Sequence, residues 1–190
     1  MSSIERAFCR SVPWTWFAKR NVLPWALQHR QLSGRVLEIG AGSGAMAAAV
    51  ARSHPDADLT ATDIDPVMVA AATARLGDTA TAQRADVTNL PFEDRSFDGV
   101  VSWLMLHHVI DWRPAISEVV RVLRPGGEFT GYDLTDTRLA RLVHRADRSP
   151  FRLVSAADLR RELETARLID IEVSPAFWGH LMRFSARKSG

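Results

Sequence analysis

The sequence predicts an α/β fold: one mostly parallel, seven-stranded sheet with helices on both faces. Three observations predict it. Apolar, strand-like runs alternate with helical segments from residue 34 onward, as expected of parallel strands joined by crossover helices. The first run, Val36-Leu37-Glu38-Ile39, enters a helical stretch through Gly40-Ala41-Gly42-Ser43-Gly44, a juncture typical of α/β sheets. The length, 190 residues, suits a single domain with an ordinary core.

The elements follow in order. Residues 35–39 read as the first strand and 45–53 as its helix. Residues 58–62 read as a second strand. Pro66 suits a helix start, where its fixed φ and missing N–H do no harm, and Val67 to Leu76 continue that helix to Gly77. Residues 81–85 form a weak third strand. Residues 97–103, rich in valine and tryptophan, form a strong fourth. Ile116, Val119, Val120 and Leu123 fall at helical spacing over 115–123, and Pro125-Gly126-Gly127 is expected to stop that helix. Residues 128–133 are the fifth strand. Residues 169–173 and 180–186 complete the seven. No internal repeat or low-complexity linker interrupts the pattern.

Composition narrows the function classes. The chain is 46% hydrophobic and 24% charged, as globular domains are. A formal net charge of +2 is too small to argue for a nucleic-acid partner. The single cysteine, Cys9, permits no intrachain disulfide and fits a reducing compartment. The start, Met1 to Arg6, lacks a signal-peptide layout. The longest apolar run, near residues 100–110, is broken by Ser102, His107 and His108, far short of the roughly 20 residues that span a bilayer. The expectation is a cytoplasmic protein with no transmembrane segment. Oligomeric state is not legible.

The glycine loop carries the chemistry. Glycine permits a tight turn and close approach of a ligand to the main chain, and the helix N-terminus behind it offers unpaired N–H groups. Glu38, just before the first glycine, is out of place in a phosphate cradle. A carboxylate there repels phosphate and tolerates a cation. That points away from a dinucleotide and toward S-adenosylmethionine (SAM), which carries a sulfonium and an ammonium. Asp63 lies twenty-three residues beyond Gly40, at the end of the second strand, where an acid can accept hydrogen bonds from ribose hydroxyls.

Six ordered pieces support more than the loop alone. They are Val36 to Gly44; Ala61-Thr62-Asp63-Ile64-Asp65; Ala85-Asp86-Val87 with Leu90-Pro91-Phe92; Ser96 to Val101; Leu106-His107-His108-Val109; and Arg121 to Gly127. Over roughly residues 34–133 this chain resembles the class I SAM-dependent methyltransferases, a Rossmann-like family, in particular the small-molecule branch that includes quinone-biosynthesis-like enzymes. The resemblance implies a SAM site built from Glu38 at the amino end of the methionine and from the Gly40, Ala41, Gly42 and Gly44 loop. It also implies Asp63 on the ribose, Ile64 on the adenine face, Asp86 and the Val87 N–H on the adenine edge, and backbone at Ser102 near the methionine. Asp65, before Pro66, reads as a helix cap. Trp103 is either a pocket wall or a core residue.

Methyl transfer is a displacement at a sulfonium carbon, so alignment supplies much of the rate. Where the acceptor must lose a proton, histidine suits the task. His108 matches the histidine common in the family and is the candidate base, or else His107 and His108 both merely shape the pocket. Asp133 is a second candidate for the acceptor pocket, from topology alone. No metal site is expected. The acceptor implied is a small apolar or aromatic molecule.

Two flanks remain. Residues 1–33 hold Phe8, Trp14, Trp16, Phe17 and Trp25 and form a helical arm, read either as a lid over the crevice or as helices packed on the sheet edge. An insertion at about 134–154 places Arg138, Arg141, Arg145 and Arg148 at helical spacing, a solvated face or a docking stripe. Two rivals stand beside the methyltransferase reading. Gly40-x-Gly42-x-x-Ala45 also fits a loose dinucleotide fingerprint, hence an NAD(P)-dependent oxidoreductase. A non-catalytic SAM-binding module is the other.

Overall fold

A computed structural model describes residues 18–28, 30–137 and 152–190. Phe8, Trp14, Trp16, Phe17 and the arginine stripe at 138–148 therefore lie outside the described residues. Seven strands form one sheet: β1 (Gly34–Ile39), β2 (Ala57–Asp63), β3 (Thr81–Arg84), β4 (Phe97–Trp103), β5 (Leu123–Leu134), β6 (Leu168–Ala176) and β7 (Leu181–Lys188). Their order is β3-β2-β1-β4-β5-β7-β6. The first five pair in parallel, and β7 runs antiparallel to both β5 and β6.

Five α-helices are described: α1 (Leu23–Leu27), α2 (Ala45–Ser53), α3 (Pro66–Leu76), α4 (Trp112–Val122) and α5 (Ala156–Thr165). Strand side chains alternate between faces, and both faces are covered. Val36, Val101 and Tyr132 pack against α1, α2 and α3. Leu37, Ile39, Val100 and Phe129 pack against α4 and α5. This double coverage explains why β1 and β4 read as continuous apolar runs rather than alternating ones. Among the described residues no helix is long and apolar enough to cross a membrane.

Several element ends differ from expectation by a residue or more, and two of them have a backbone cause. Helix α4 starts at Trp112 rather than Ala115, because Pro114 sits in the first turn, where no backbone N–H is needed for the helix. Strand β5 starts at Leu123 rather than Glu128. The Pro125-Gly126-Gly127 segment lies inside the strand as an irregularity, the register moving from Phe97↔Leu123 to Gly99↔Glu128. The helix has already ended, consistent with the bias of Arg124, the residue before proline, away from helical backbone.

Several motif residues brace the amino ends of the strands. Arg121 donates to the carbonyls of Leu90 (2.9 Å) and Phe92 (2.7 Å) and to Asp94 and Glu118. Glu118 accepts the Leu90 N–H at 2.7 Å. Asp98 accepts from Arg124 Nη1 at 2.6 Å and from the Arg35 N–H at 2.8 Å. The Leu-Pro-Phe and Arg-Val-Leu-Arg-Pro pieces are thus partners in one structural staple.

Of the arm, α1 buries Leu23, Ala26 and Leu27. Trp25 packs edge-on against Tyr132 and Phe177, each at 5.4 Å between ring centroids. It is held against the sheet and is absent from the wall of the crevice described next.

Candidate functional site

The chain order reverses between β1 and β4, and crevices of such sheets open outside the carboxyl ends of the strands at that point. A cavity of about 790 Å³ lies there. One wall is the loop after β1, with Gly40, Ala41, Gly42 and Ser43; others come from Asp63 and Ile64 after β2, Asp86 to Thr88 after β3, and Trp103 to Met105 after β4.

The loop is shaped by its glycines. Gly40 has φ +66°, and a Cβ there would lie 1.8 Å from Met105 Cγ, so no other residue fits without displacing a cavity wall. Gly42 has φ +54° with nothing within 4 Å of a built Cβ; its backbone is bare toward the cavity, and a ligand can approach it closely. Gly44 serves a different purpose. A Cβ there would meet Ala72 of α3 at 3.1 Å, and the residue is not part of the cavity wall, so it sets helix packing instead of contacting the site.

Glu38 is the exceptional side chain. It is 1% exposed, it lines the cavity, and its Oε2 has no hydrogen-bond partner. Burial pushes its pKa up to about 8; the Trp103 indole and the Ala47 amide hold it down in part, and nearby Asp63 adds to the rise. A buried carboxyl oxygen without a partner is costly and marks a place where a ligand supplies the missing donor. Asp63 Oδ2 accepts the Gly42 N–H at 2.8 Å and Oδ1 the Asp65 N–H at 2.9 Å. Burial nevertheless outweighs these donors and raises its pKa. Its oxygens hold the loop in place and retain lone pairs for a ligand hydroxyl. Asp65 caps α3, accepting the Val67 N–H at 2.8 Å.

The rim is completed by Ile64, 57% exposed, and by Val87 and Asp86. Asp86 Oδ1 accepts from Thr88 N and Oγ1 at 2.9 and 2.7 Å, so the carboxylate is fixed at the edge of the cavity.

Charge decides between ligand classes. The acidic and histidine side chains on the described wall are Glu38, Asp63, Asp65, Asp86, Asp111, His107 and His108, with no lysine or arginine. A pyrophosphate would meet carboxyls and no cationic partner. A ligand with an ammonium and a sulfonium meets the right field.

The far side of the cavity is apolar, with Val109, Ile110, Leu134, Leu181 and Tyr132. Set among them is a buried pair. His107 Nδ1 lies 2.5 Å from Asp133 Oδ1, the His107 N–H donates to Asp133 Oδ2 at 3.3 Å, and the Leu134 N–H donates to Oδ1 at 2.6 Å. Asp133 is 0% and His107 3% exposed. The His108 ring packs at a tilt against that of His107, centroids 4.1 Å apart.

Over this geometry, the methyltransferase domain family matches residues 37–131, half of the chain. The chain belongs to the SAM-dependent methyltransferase family. The ubiquinone/menaquinone biosynthesis C-methyltransferase UbiE of Desulfotalea psychrophila is 36% identical over 104 residues, 54% of this chain and 42% of that protein. The phthiotriol/phenolphthiotriol dimycocerosates methyltransferase 1 of Mycobacterium ulcerans is 32% identical over 173 residues, 85% of this chain and 62% of that one. This methyltransferase chain thus spans less than two thirds of either relative. In fold it is similar to Haemonchus contortus phosphoethanolamine N-methyltransferase 2, solved with S-adenosyl-L-methionine, with TM-score 0.77 and 19% identity over 92% of this chain and 53% of that one.

The methyltransferase cavity gathers most of the site residues expected from sequence: Glu38, Gly40, Ala41, Gly42, Asp63 and Ile64 on one side, Asp86, Val87 and His108 on the others. Ser102 is the clear departure. It is fully buried with an unpartnered Oγ, hydrogen-bonded into the sheet between Ile39 and Gly131, and does not reach the wall; Trp103 and Leu104, one and two residues further, do. The His107–Asp133 pairing was not evident from sequence. Its signal was positional: Tyr132 pairs with Trp103, so Asp133 is the first β5 residue past the end of β4, where the His107 turn begins.

Proposed function

We propose that this chain transfers the methyl group of SAM to a small apolar or aromatic acceptor. The observation that carries this is Glu38: a buried carboxyl whose Oε2 has no partner, beside a bare glycine loop in a cavity walled by carboxyls. The residues fit SAM. Glu38 would hold the methionine ammonium, the Gly40–Gly42 backbone would pack on the methionine and ribose, Asp63 would accept from ribose hydroxyls, and Ile64, Asp86 and Val87 would frame the adenine. When bound, SAM supplies an electrophilic methyl carbon on sulfur. The chain's own part is to align the acceptor on the apolar side and to exclude water from it.

The finer assignment is to the small-molecule branch with quinone-biosynthesis-like members. Identity to the UbiE relative over half of the chain and the apolar lining at Leu134, Leu181 and Tyr132 support it. We place the protein in the cytoplasm, on its single cysteine.

Calorimetry with SAM and with NAD tests the cofactor: SAM is expected to bind and NAD to fail. Mass spectrometry of a metabolite extract incubated with the protein and methyl-labelled SAM then tests transfer. Labelled products support catalysis, whereas SAM binding without any labelled product would favour a non-catalytic SAM-binding module.

A further inference from the structure

We propose that the carboxyl end of the sheet, around the mouth of the cavity, docks on the surface of a phospholipid bilayer. The proposal goes beyond the methyl-transfer reading and does not depend on it.

The large apolar side chains left exposed are unevenly placed. Among the described residues they are Ile64, Val67, Ile110, Ile169, Phe177 and Trp178. Ile64 and Val67 follow β2, Ile110 follows β4, and Phe177 and Trp178 join β6 to β7. Strand β7 begins at Leu181, opposite Leu134 at the end of β5, so this hairpin tip also stands at the carboxyl end. Ile169, near the start of β6, is the member of the set at the amino end. Ile64 and Ile110 belong both to the exposed set and to the cavity wall, and Leu181, just past the hairpin tip, is wall as well. Apolar surface therefore continues from the rim into the cavity.

The hairpin tip protrudes at a cost. Phe177, Trp178 and Gly179 have φ of +49°, +55° and +81°, and bulky aromatic residues are strained in left-handed backbone. Trp178 recovers little of that cost by packing, because it is 96% exposed. The tip is nevertheless fixed. The Gly179 N–H donates to the Ala176 carbonyl at 3.0 Å and the Thr135 N–H to the His180 carbonyl at 3.1 Å. Thr135 Oγ1 donates to the Gly179 carbonyl, and Phe177 rests edge-on against Trp25. A braced turn that holds an indole out in water points to a partner for that indole.

The chemistry beside the tips fits lipid. Arg84 Nε donates to the Ile64 carbonyl at 3.1 Å, and Arg152 Nη1 donates to the Ile110 carbonyl at 3.2 Å. Both arginines are exposed. Each isoleucine thus has a guanidinium at its base, which lets the side chain enter the acyl layer while the cation stays at the phosphates. Tryptophan, apolar with one N–H, favours the same boundary. Asp65, Asp86 and Asp111 stand on the same rim and offset Arg84 and Arg152. Apolar insertion, rather than attraction to anionic lipid, therefore supplies the binding. A second copy of the chain is a poorer fit. A stable protein interface needs about 800 Å² of well-packed surface on each partner, whereas these tips stand on separate loops around the mouth of a cavity of about 790 Å³. A fluid bilayer can mould itself around them.

The test uses the full chain and vesicles of phosphatidylcholine. In flotation the wild type is expected to rise with the lipid. Trp178→Ser should lower vesicle binding roughly 10- to 100-fold, the effect of withdrawing one large apolar side chain. Val67→Ser should show a smaller loss in the same direction, and decides the matter if Trp178→Ser does not fold. Ile169→Ser, a change of the same kind at the opposite end, should leave binding within about twofold of wild type. Phosphatidylglycerol added to the vesicles should change wild-type binding less than about threefold. Failure of the wild type to bind vesicles, equal losses at the two ends, or binding that requires phosphatidylglycerol would each overturn the proposal. So would a concentration-dependent dimer in sedimentation that Trp178→Ser dissolves, which would make this face a contact between copies of the chain.

Discussion

The two ends of the sheet use the same residue types to opposite effect. At the amino ends, every carboxylate in the staple has a partner. Asp98 is raised by burial, but the Arg124 and Arg35 donors pull harder and leave it below the usual carboxylate range. Glu118 is lowered first by Arg121 and further by the Leu90 N–H. At the carboxyl ends, burial wins. Glu38 rises to about 8 and Asp63 also rises. Paired carboxylates hold the fold; the one with an unsatisfied oxygen, Glu38, waits for a ligand. Stability and function are thus separated along the strand axis, which is where an α/β sheet places its crevice.

The separation can be broken from either end. The largest effect is expected from Glu38→Gln. Losing one partner of a buried ion pair costs about 3–5 kcal/mol, which would weaken SAM binding roughly 150- to 5,000-fold. The melting temperature should hold or rise, because a buried carboxyl with an unsatisfied oxygen is removed; calorimetry and thermal denaturation read the two halves. Asp63→Ala should follow. A hydrogen bond to a charged group contributes about 1.5–3 kcal/mol, so SAM binding should fall roughly 10- to 150-fold. An unchanged dissociation constant would remove Asp63 from the ribose.

At the opposite end, Arg121→Met strips the donors from two loop carbonyls and from Glu118. Unfolding in urea should show a loss of about 1–3 kcal/mol, with SAM affinity within about twofold of wild type. A large change in affinity there would mean that the two ends are coupled.

The last effect is on pH. Glu38 in the native state keeps its proton to about pH 8, whereas in the unfolded chain it loses it near the ordinary value for glutamate. Between those values the native state binds more protons. Stability of the ligand-free protein should therefore fall as pH rises through this window, by at most about 1.4 kcal/mol per unit from this group, and level off above it. Asp63, also raised, acts in the same sense. Glu38→Gln should flatten the slope, as followed by urea unfolding at a series of pH values.

Much of this was legible in the chain. Helix α2 and strand β4 have the bounds expected of them, because an alanine run after glycine and a strand rich in valine and aromatic residues leave little choice. The site's cofactor side was legible for the same reason: Glu38, Gly40, Gly42 and Asp63 are close to strand ends, and strand ends of a parallel sheet converge. What failed needed three dimensions. The helix expected from Ala115 begins at Trp112, with Pro114 in its first turn. Pro125-Gly126-Gly127 looked like a stop and is a strand irregularity. His107 and His108 are indistinguishable by type. Only the register of β5 against β4 brings Asp133 to one of them, and a one-residue difference also takes Ser102 out of the cavity and puts Trp103 in.

The central claim is that Glu38 is the carboxyl that meets the SAM ammonium, and proton release on binding tests it most directly. Calorimetric titration of SAM near neutral pH, in buffers of different ionisation enthalpy, counts the protons released. A carboxyl with a pKa of about 8 is mostly protonated there and must ionise to pair with an ammonium. The account predicts release of nearly one proton per SAM bound in the wild type and almost none in Glu38→Gln. Tight SAM binding with no proton released, or the same release from both proteins, would contradict it.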